Sequence, residues 1–81
     1  MTEEAINTQV TREHTMTVLQ HMLYSHNLAT EQLILDPEFN DMFEALHQAY
    51  VLVDGDYNHN EQYLRGVIDL PLHHIRERLK I

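Results

Sequence analysis

Glu44 and His47 are the residues whose types and spacing come closest to a metal site. On a helix, side chains three residues apart face the same side, so this pair could hold one ion together. Di-iron bundles use two Glu-x-x-His pairs and further glutamates, whereas this chain has one such pair. A metal-binding helical bundle would have to be completed by dimerisation, with Glu13 as the natural extra ligand, and it is kept as an alternative.

Oxygen-bearing side chains also alternate between Asp54 and Asn60, as in the first half of a calcium-binding loop. Such a loop needs glycine at its sixth position and a bidentate glutamate at its twelfth. Counted from Asp54, these positions hold His59 and Arg65. Because an arginine would repel the cation, this run is interpreted as a polar loop.

Asp69, His73 and Glu77 are spaced four residues apart and would follow one face of a helix. The chain has no pair of histidines four residues apart, so the usual helical zinc signature is missing. Solvated ion pairs are the better interpretation. We therefore assign no metal ligands and expect no cofactor.

Nucleophilic catalysis has little support in the sequence. The chain has no cysteine, and its one serine, Ser25, is followed directly by His26. Neighbouring side chains on a helix point about 100° apart and do not readily form a nucleophile–base pair. No glycine-rich phosphate loop is present either. We expect that the protein is not an enzyme and has no catalytic residues.

Two apolar patterns predict long helices. The first helix is predicted from Glu3 to about His26, with Thr2 as its cap and a core stripe that includes Leu19 and Leu23. A connection with one possible helical turn after Thr30 follows. Asp36-Pro37-Glu38 is then a strong start signal for a helix that runs to about Val53.

The last third of the chain predicts two shorter helices. Asn58, with Glu61 three residues later, resembles a capping box for a helix that ends near Ile68. Pro71 should break the helix near Asp69, which would cap a short final helix. The sequence thus predicts an all-α fold, a compact bundle of three to four short helices in a single domain over residues 1–81.

A second, semi-polar stripe on the first helix predicts self-association. A helix buried on one side does not need it, and a chain this short has a marginal core that a second copy could supplement. We expect a homo-oligomer, most simply a dimer. The predicted self-association residues are Val10, His14, Thr17, His21 and Tyr24.

Charge is distributed unevenly along the chain. No lysine or arginine occurs from Glu13 to Leu64, a stretch that carries nine carboxylates, and the formal net charge is −8. We therefore expect the folded molecule to show a broad acidic surface. An acidic surface repels nucleic acid and membranes and attracts cationic protein surfaces. Without cysteine, a signal peptide pattern or a long apolar run, a cytoplasmic location is expected.

These features predict a small acidic protein-interaction module, a regulator or inhibitor that binds a basic surface of a partner protein. A nucleic-acid-binding partner, engaged by imitation of a phosphate row, is one form of this hypothesis. In size and charge the chain resembles small acidic regulators and inhibitors from phages and mobile elements. The alternative is a structural homo-oligomeric assembly factor. The predicted partner contacts are Glu31, Asp36, Glu38, Asp41, Glu44, Asp54, Asp56 and Glu61.

Overall fold

The computed structural model describes residues 10–80, which form four α-helices and no β-strand. The helices are α1 (Arg12–Tyr24), α2 (Thr30–Leu33), α3 (Pro37–Leu52) and α4 (Glu61–Leu79). The all-α prediction is confirmed for this part of the chain. Within it, each helix is either too short or too polar to cross a lipid bilayer.

The first helix begins later than predicted. Thr11 has an extended backbone (φ −95°, ψ 164°), and its side chain accepts a hydrogen bond from the His14 amide at 3.1 Å. Threonine in this conformation caps a helix that begins at the next residue, because its hydroxyl satisfies an otherwise free amide. The predicted continuous helix from Glu3 is therefore wrong, and the proposed Thr2 cap lies outside the described residues.

The start of α3 confirms the strongest local signal in the sequence. Asp36 is the N-cap, and its carboxylate accepts a hydrogen bond from the Glu38 amide at 2.9 Å.

Gly55 lies just after the C-terminal end of α3. It has φ +76°, and a Cβ there would lie 3.3 Å from a methyl group of Val10. Glycine favours the left-handed backbone at this position, and a side chain there would also crowd Val10.

The structure contradicts the predicted break at Pro71, because α4 is one continuous helix with this proline inside it. Asp69 lies in the helix and caps nothing, and the N-cap position is Asn60 rather than Asn58. A proline inside a helix costs about 3 kcal/mol because it removes one hydrogen bond. Burial of four apolar side chains at helical spacing offsets that cost. They are Leu64, Ile68, Leu72 and Ile75.

Pro71→Ala should therefore stabilise the protein, by about 1–3 kcal/mol, because alanine restores an amide that can donate to the Val67 carbonyl. The free energy of unfolding from urea denaturation would measure this gain. If the variant is no more stable than the wild type, proline is not interrupting a continuous helix at this position.

The core lies between α1, α3 and α4. The main helix pair is α3 with α4, and α1 packs on α3. Leu28 and Leu33, on either side of Thr30, close one side of this core.

Candidate functional site

Arg12 joins α1 to α3. Its guanidinium donates to both carboxylate oxygens of Glu44 and lies 4.9 Å from the centre of the Phe43 ring. These hydrogen bonds hold the pKa of the Glu44 carboxyl below its usual range. Glu44 is thus already occupied by a cation of its own chain.

His47, the other member of the Glu-x-x-His pair, belongs to the same helix contact. Its Nδ1 lies 2.7 Å from the hydroxyl of the fully buried Thr15, and its ring stacks in parallel with that of Phe43 at 6.2 Å. Among residues 10–80, no three histidine, aspartate or glutamate side chains are placed to hold one ion. Glu44 and His47 therefore each link α3 to α1 within this chain.

Arg78 forms a second cluster, between the end of α4 and the start of α3. Its guanidinium donates to Asp36 at 2.5 and 3.0 Å and to Glu38 at 2.8 Å. His74 Nδ1 lies 3.1 Å from the other oxygen of Glu38. Hydrogen bonds from Arg78 lower the pKa values of both carboxyls, and donating to Asp36 and Glu38 raises the pKa of Arg78. The N-cap of α3 is thereby tied to the C-terminal turn of α4.

Arg65 forms a third cluster near the opposite end of α4. It donates to Glu61 at 2.7 Å, to the Ser25 hydroxyl at 2.9 Å and to the Tyr57 hydroxyl at 3.4 Å. Ser25 itself donates to the Met22 carbonyl at 2.6 Å. The hydroxyl of Ser25 therefore has a structural role at the end of α1.

The predicted polar loop is built around Asp56. Its carboxylate accepts a hydrogen bond from the His59 amide at 3.2 Å and lies 2.9 Å from His59 Nδ1. Hydrogen bonding from the His59 amide, and then from its ring, lowers the pKa of Asp56. These contacts fit the interpretation of the run as a loop that turns towards α4.

The third metal hypothesis concerned the outer side of α4. His73 and Glu77 form an ion pair at 3.3 Å if the histidine is protonated. Together with Asp69 they line a shallow hollow of about 360 Å³. Arg76 and Lys80 line the same hollow, and two cations beside these side chains oppose the binding of a metal ion.

The eight predicted partner contacts therefore fall into two groups. Four of them are held by arginines of the same chain: Asp36, Glu38, Glu44 and Glu61. Glu31, Asp41 and Asp54 are exposed and form no ion pair with another described residue, and Asp56 pairs with a histidine alone. The acidic surface is consequently less dense than the sequence indicates.

The predicted self-association stripe lies mostly on the outer face of α1. His14, Thr17, His21 and Tyr24 are exposed, whereas Val10 is half-buried and packs against the core near Gly55. The His21 ring makes an edge contact with Tyr57 of the same chain at 6.1 Å. Self-association through this face stays a prediction.

An apolar groove that was not predicted from the sequence lies between α1 and the start of α3. Its volume is about 470 Å³, and Arg12, Asp36 and Asn40 form its polar rim. Leu35 is 91% exposed and Ile34 is 54% exposed. The apolar lining consists of Met16, Ile34, Leu35, Pro37, Phe39 and Phe43.

A signal for this groove is visible in the run Leu33-Ile34-Leu35. Three consecutive apolar side chains at the end of α2 point in different directions and cannot all face one core, and only Leu33 is buried. The side chains of Ile34 and Leu35 therefore remain at the surface.

An acidic hollow of about 550 Å³ adjoins the groove, and the two share Asp36 and Pro37. Glu38, Asp41, Arg78 and Leu79 complete its lining. With three carboxylates and one guanidinium, the hollow is net negative. The start of α3 thus separates an apolar surface from an acidic one.

Comparison with known proteins gives no relative from which to assign this surface a role. No protein-family model matches the chain, and neither a curated protein nor a solved structure resembles it at a significant level.

Proposed function

We propose that this protein is a small protein-interaction module that binds a basic surface of a partner protein and regulates or inhibits that partner by occupying it. One observation carries the proposal. From Glu13 to Leu64, five of the nine carboxylates form no ion pair with an arginine or lysine of residues 10–80. They are Glu13, Glu31, Asp41, Asp54 and Asp56.

Ion pairs with arginines of the same chain reduce the number of carboxylates that are free to contact a partner. Binding through Glu44 or Glu61 would require a partner to displace a hydrogen-bonded guanidinium, which offsets any gain from the new ion pair. The proposed contacts are therefore Glu31, Asp41 and Asp54, with Asp56 where His59 is released. Exposed carboxylates at these positions favour fast, salt-sensitive association with a cationic surface.

Nucleic-acid-binding proteins are a natural class of partner because their binding sites are basic. Occupation of such a site by carboxylates would exclude the nucleic acid. Mimicry of a regular phosphate row has less support than simple charge attraction, since arginines neutralise half of the predicted acidic contacts.

A matched pair of double variants tests the proposal. Glu31→Gln with Asp41→Asn removes two free charges from the acidic stretch, and Glu77→Gln with Asp69→Asn removes the same two charge types from α4. We expect the first variant to capture a basic partner from native cell extract at least about fivefold less well at low salt. The second variant should capture it nearly as well as the wild type.

Quantitative mass spectrometry of the captured proteins at low and high salt is the measurement. Exposed charges are screened within about 10 Å at moderate salt, so capture should fall steeply as salt rises. Equal losses in the two double variants, or a partner retained unchanged at high salt, would contradict recognition through these carboxylates. Competition by a short DNA duplex would identify a nucleic-acid-binding partner.

A further inference from the structure

We propose that the apolar groove beside Leu35 holds an apolar side chain of the basic partner, while the adjoining acidic hollow holds a lysine or arginine of the same partner segment. This inference rests on the proposed function and specifies the partner: an amphipathic cationic segment. The inference is based on two neighbouring surfaces, one apolar and one acidic, which share Asp36 and Pro37.

Exposure of apolar groups supports the first half of the proposal. Single exposed leucines are common on protein surfaces. Leu35 and Ile34, however, are adjacent and stand beside a concave wall that includes Met16, Phe39 and Phe43. An apolar side chain placed there would cover both residues and the wall at once, which removes more apolar area from water than contact with a flat surface.

Charge supports the second half. Asp41 is exposed, forms no ion pair with another described residue, and lies one helical turn after Pro37, which lines both the groove and the hollow. Asp36 and Glu38 share the single guanidinium of Arg78. A lysine or arginine entering the hollow would therefore meet an uncompensated carboxylate.

Helix dipoles do not oppose a cation here. The positive N-terminal end of α3 alone would repel it. Arg78, in the last turn of α4, contacts Asp36, the N-cap of α3. The negative C-terminal end of α4 therefore lies beside the positive end of α3, and the two partial charges largely offset each other.

A second copy of the chain fits this surface less well. Each copy carries a formal charge of −8, and two copies meeting at an acid-lined hollow would repel each other. The same charge attracts a basic segment, so the groove and the hollow favour one kind of occupant.

A designed peptide of leucine and lysine, patterned as an amphipathic helix, serves as the probe. Two companion peptides replace its leucines with alanine or its lysines with glutamate. Fluorescence anisotropy of the labelled peptides with the full chain would measure the dissociation constants. We expect the leucine–lysine peptide to bind at least about tenfold more tightly than either companion.

Leu35→Ser and Leu52→Ser form the matched pair of protein variants. Leu35 lies just before the start of α3, and Leu52, which is 77% exposed, is the last residue of that helix. A helix of 16 residues is about 24 Å long, so the two positions lie near opposite ends of α3. We expect Leu35→Ser to weaken binding of the leucine–lysine peptide about tenfold and Leu52→Ser to change it less than twofold. Because both side chains are exposed, both variants should keep wild-type circular dichroism spectra.

The outcomes separate this proposal from the proposed function. If salt-sensitive peptide binding persists unchanged in Leu35→Ser, the groove is not the anchor site, and charge recognition can still hold. If wild-type protein binds the leucine–lysine and alanine–lysine peptides equally, the groove proposal is also overturned. A change in the sedimentation coefficient of the protein alone in Leu35→Ser would overturn it too, because the groove would then join copies of this chain.

Discussion

Leu46→Ala should lower the free energy of unfolding by about 2–5 kcal/mol, the usual loss when a large core side chain leaves a cavity. Leu46 is fully buried in the middle of α3, where this helix packs between α1 and α4. The total free energy of unfolding of a folded protein is only about 5–15 kcal/mol. The variant should therefore lose a large fraction of its stability and be partly unfolded at moderate temperature.

Leu52→Ala is the control for this prediction, since it makes the same chemical change on the same helix at an exposed position. Its effect should stay within about 0.5 kcal/mol. Urea denaturation of both variants, followed by circular dichroism at the helix band, would measure the difference. Comparable destabilisation by the two substitutions would mean that α3 does not bury the face described here.

Local features of this fold were the ones that sequence reasoning could predict. The Asp36 cap and the proline that follows it depend on hydrogen bonds between residues two positions apart. The buried stripe of α3 depends on helical spacing alone. Both kinds of information are present within one or two helical turns, so α3 begins and ends close to where it was predicted.

Pro71 shows where local information is insufficient. A proline is expected to interrupt a helix, and the preceding Gly66 weakens the helix further. Whether the helix nevertheless continues depends on how much apolar surface Leu72 and Ile75 bury against other helices. That burial is a property of the assembled bundle and is not visible in the residues around Pro71.

The candidate site depends on the same kind of long-range information. Arg12 and Glu44 are separated by 32 positions, and Arg78 and Asp36 by 42. In sequence, the carboxylates lie in a stretch without arginine or lysine. In the folded chain, arginines from outside that stretch contact four of its carboxylates and neutralise part of its charge.

Arg78→Met should lower the stability of the protein at neutral pH more than any other single change among the three arginine clusters. Arg78 is the one described cation that pairs with two carboxylates, one of which caps α3. Methionine keeps an unbranched apolar stem and removes the guanidinium. Asp36 would then be ionised without a compensating charge, and Glu38 would keep only its contact with His74. With Asp41 nearby, the carboxylates would repel one another.

The loss should depend on pH in a definite direction. Hydrogen bonds from Arg78 lower the pKa values of Asp36 and Glu38 in the folded protein. Their stabilising contribution is therefore complete above the ordinary carboxyl pKa of about 4 and disappears as the pH falls through the lowered folded values. The difference in free energy of unfolding between wild type and Arg78→Met should be largest near pH 7 and shrink below about pH 4.

Arg76→Met is the matched control for the guanidinium itself. Arg76 lies in the same last turns of α4 and forms no ion pair with another described residue, so its loss should have a small effect that varies little with pH in the acid range. Urea denaturation of the three proteins at several pH values between about 3 and 7 makes the comparison. Equal effects of the two substitutions would assign the stabilisation to any cation near the negative end of α4, rather than to the Arg78 contacts with Asp36 and Glu38. A difference for Arg78→Met that stays constant down to pH 3 would instead assign it to packing of the arginine stem.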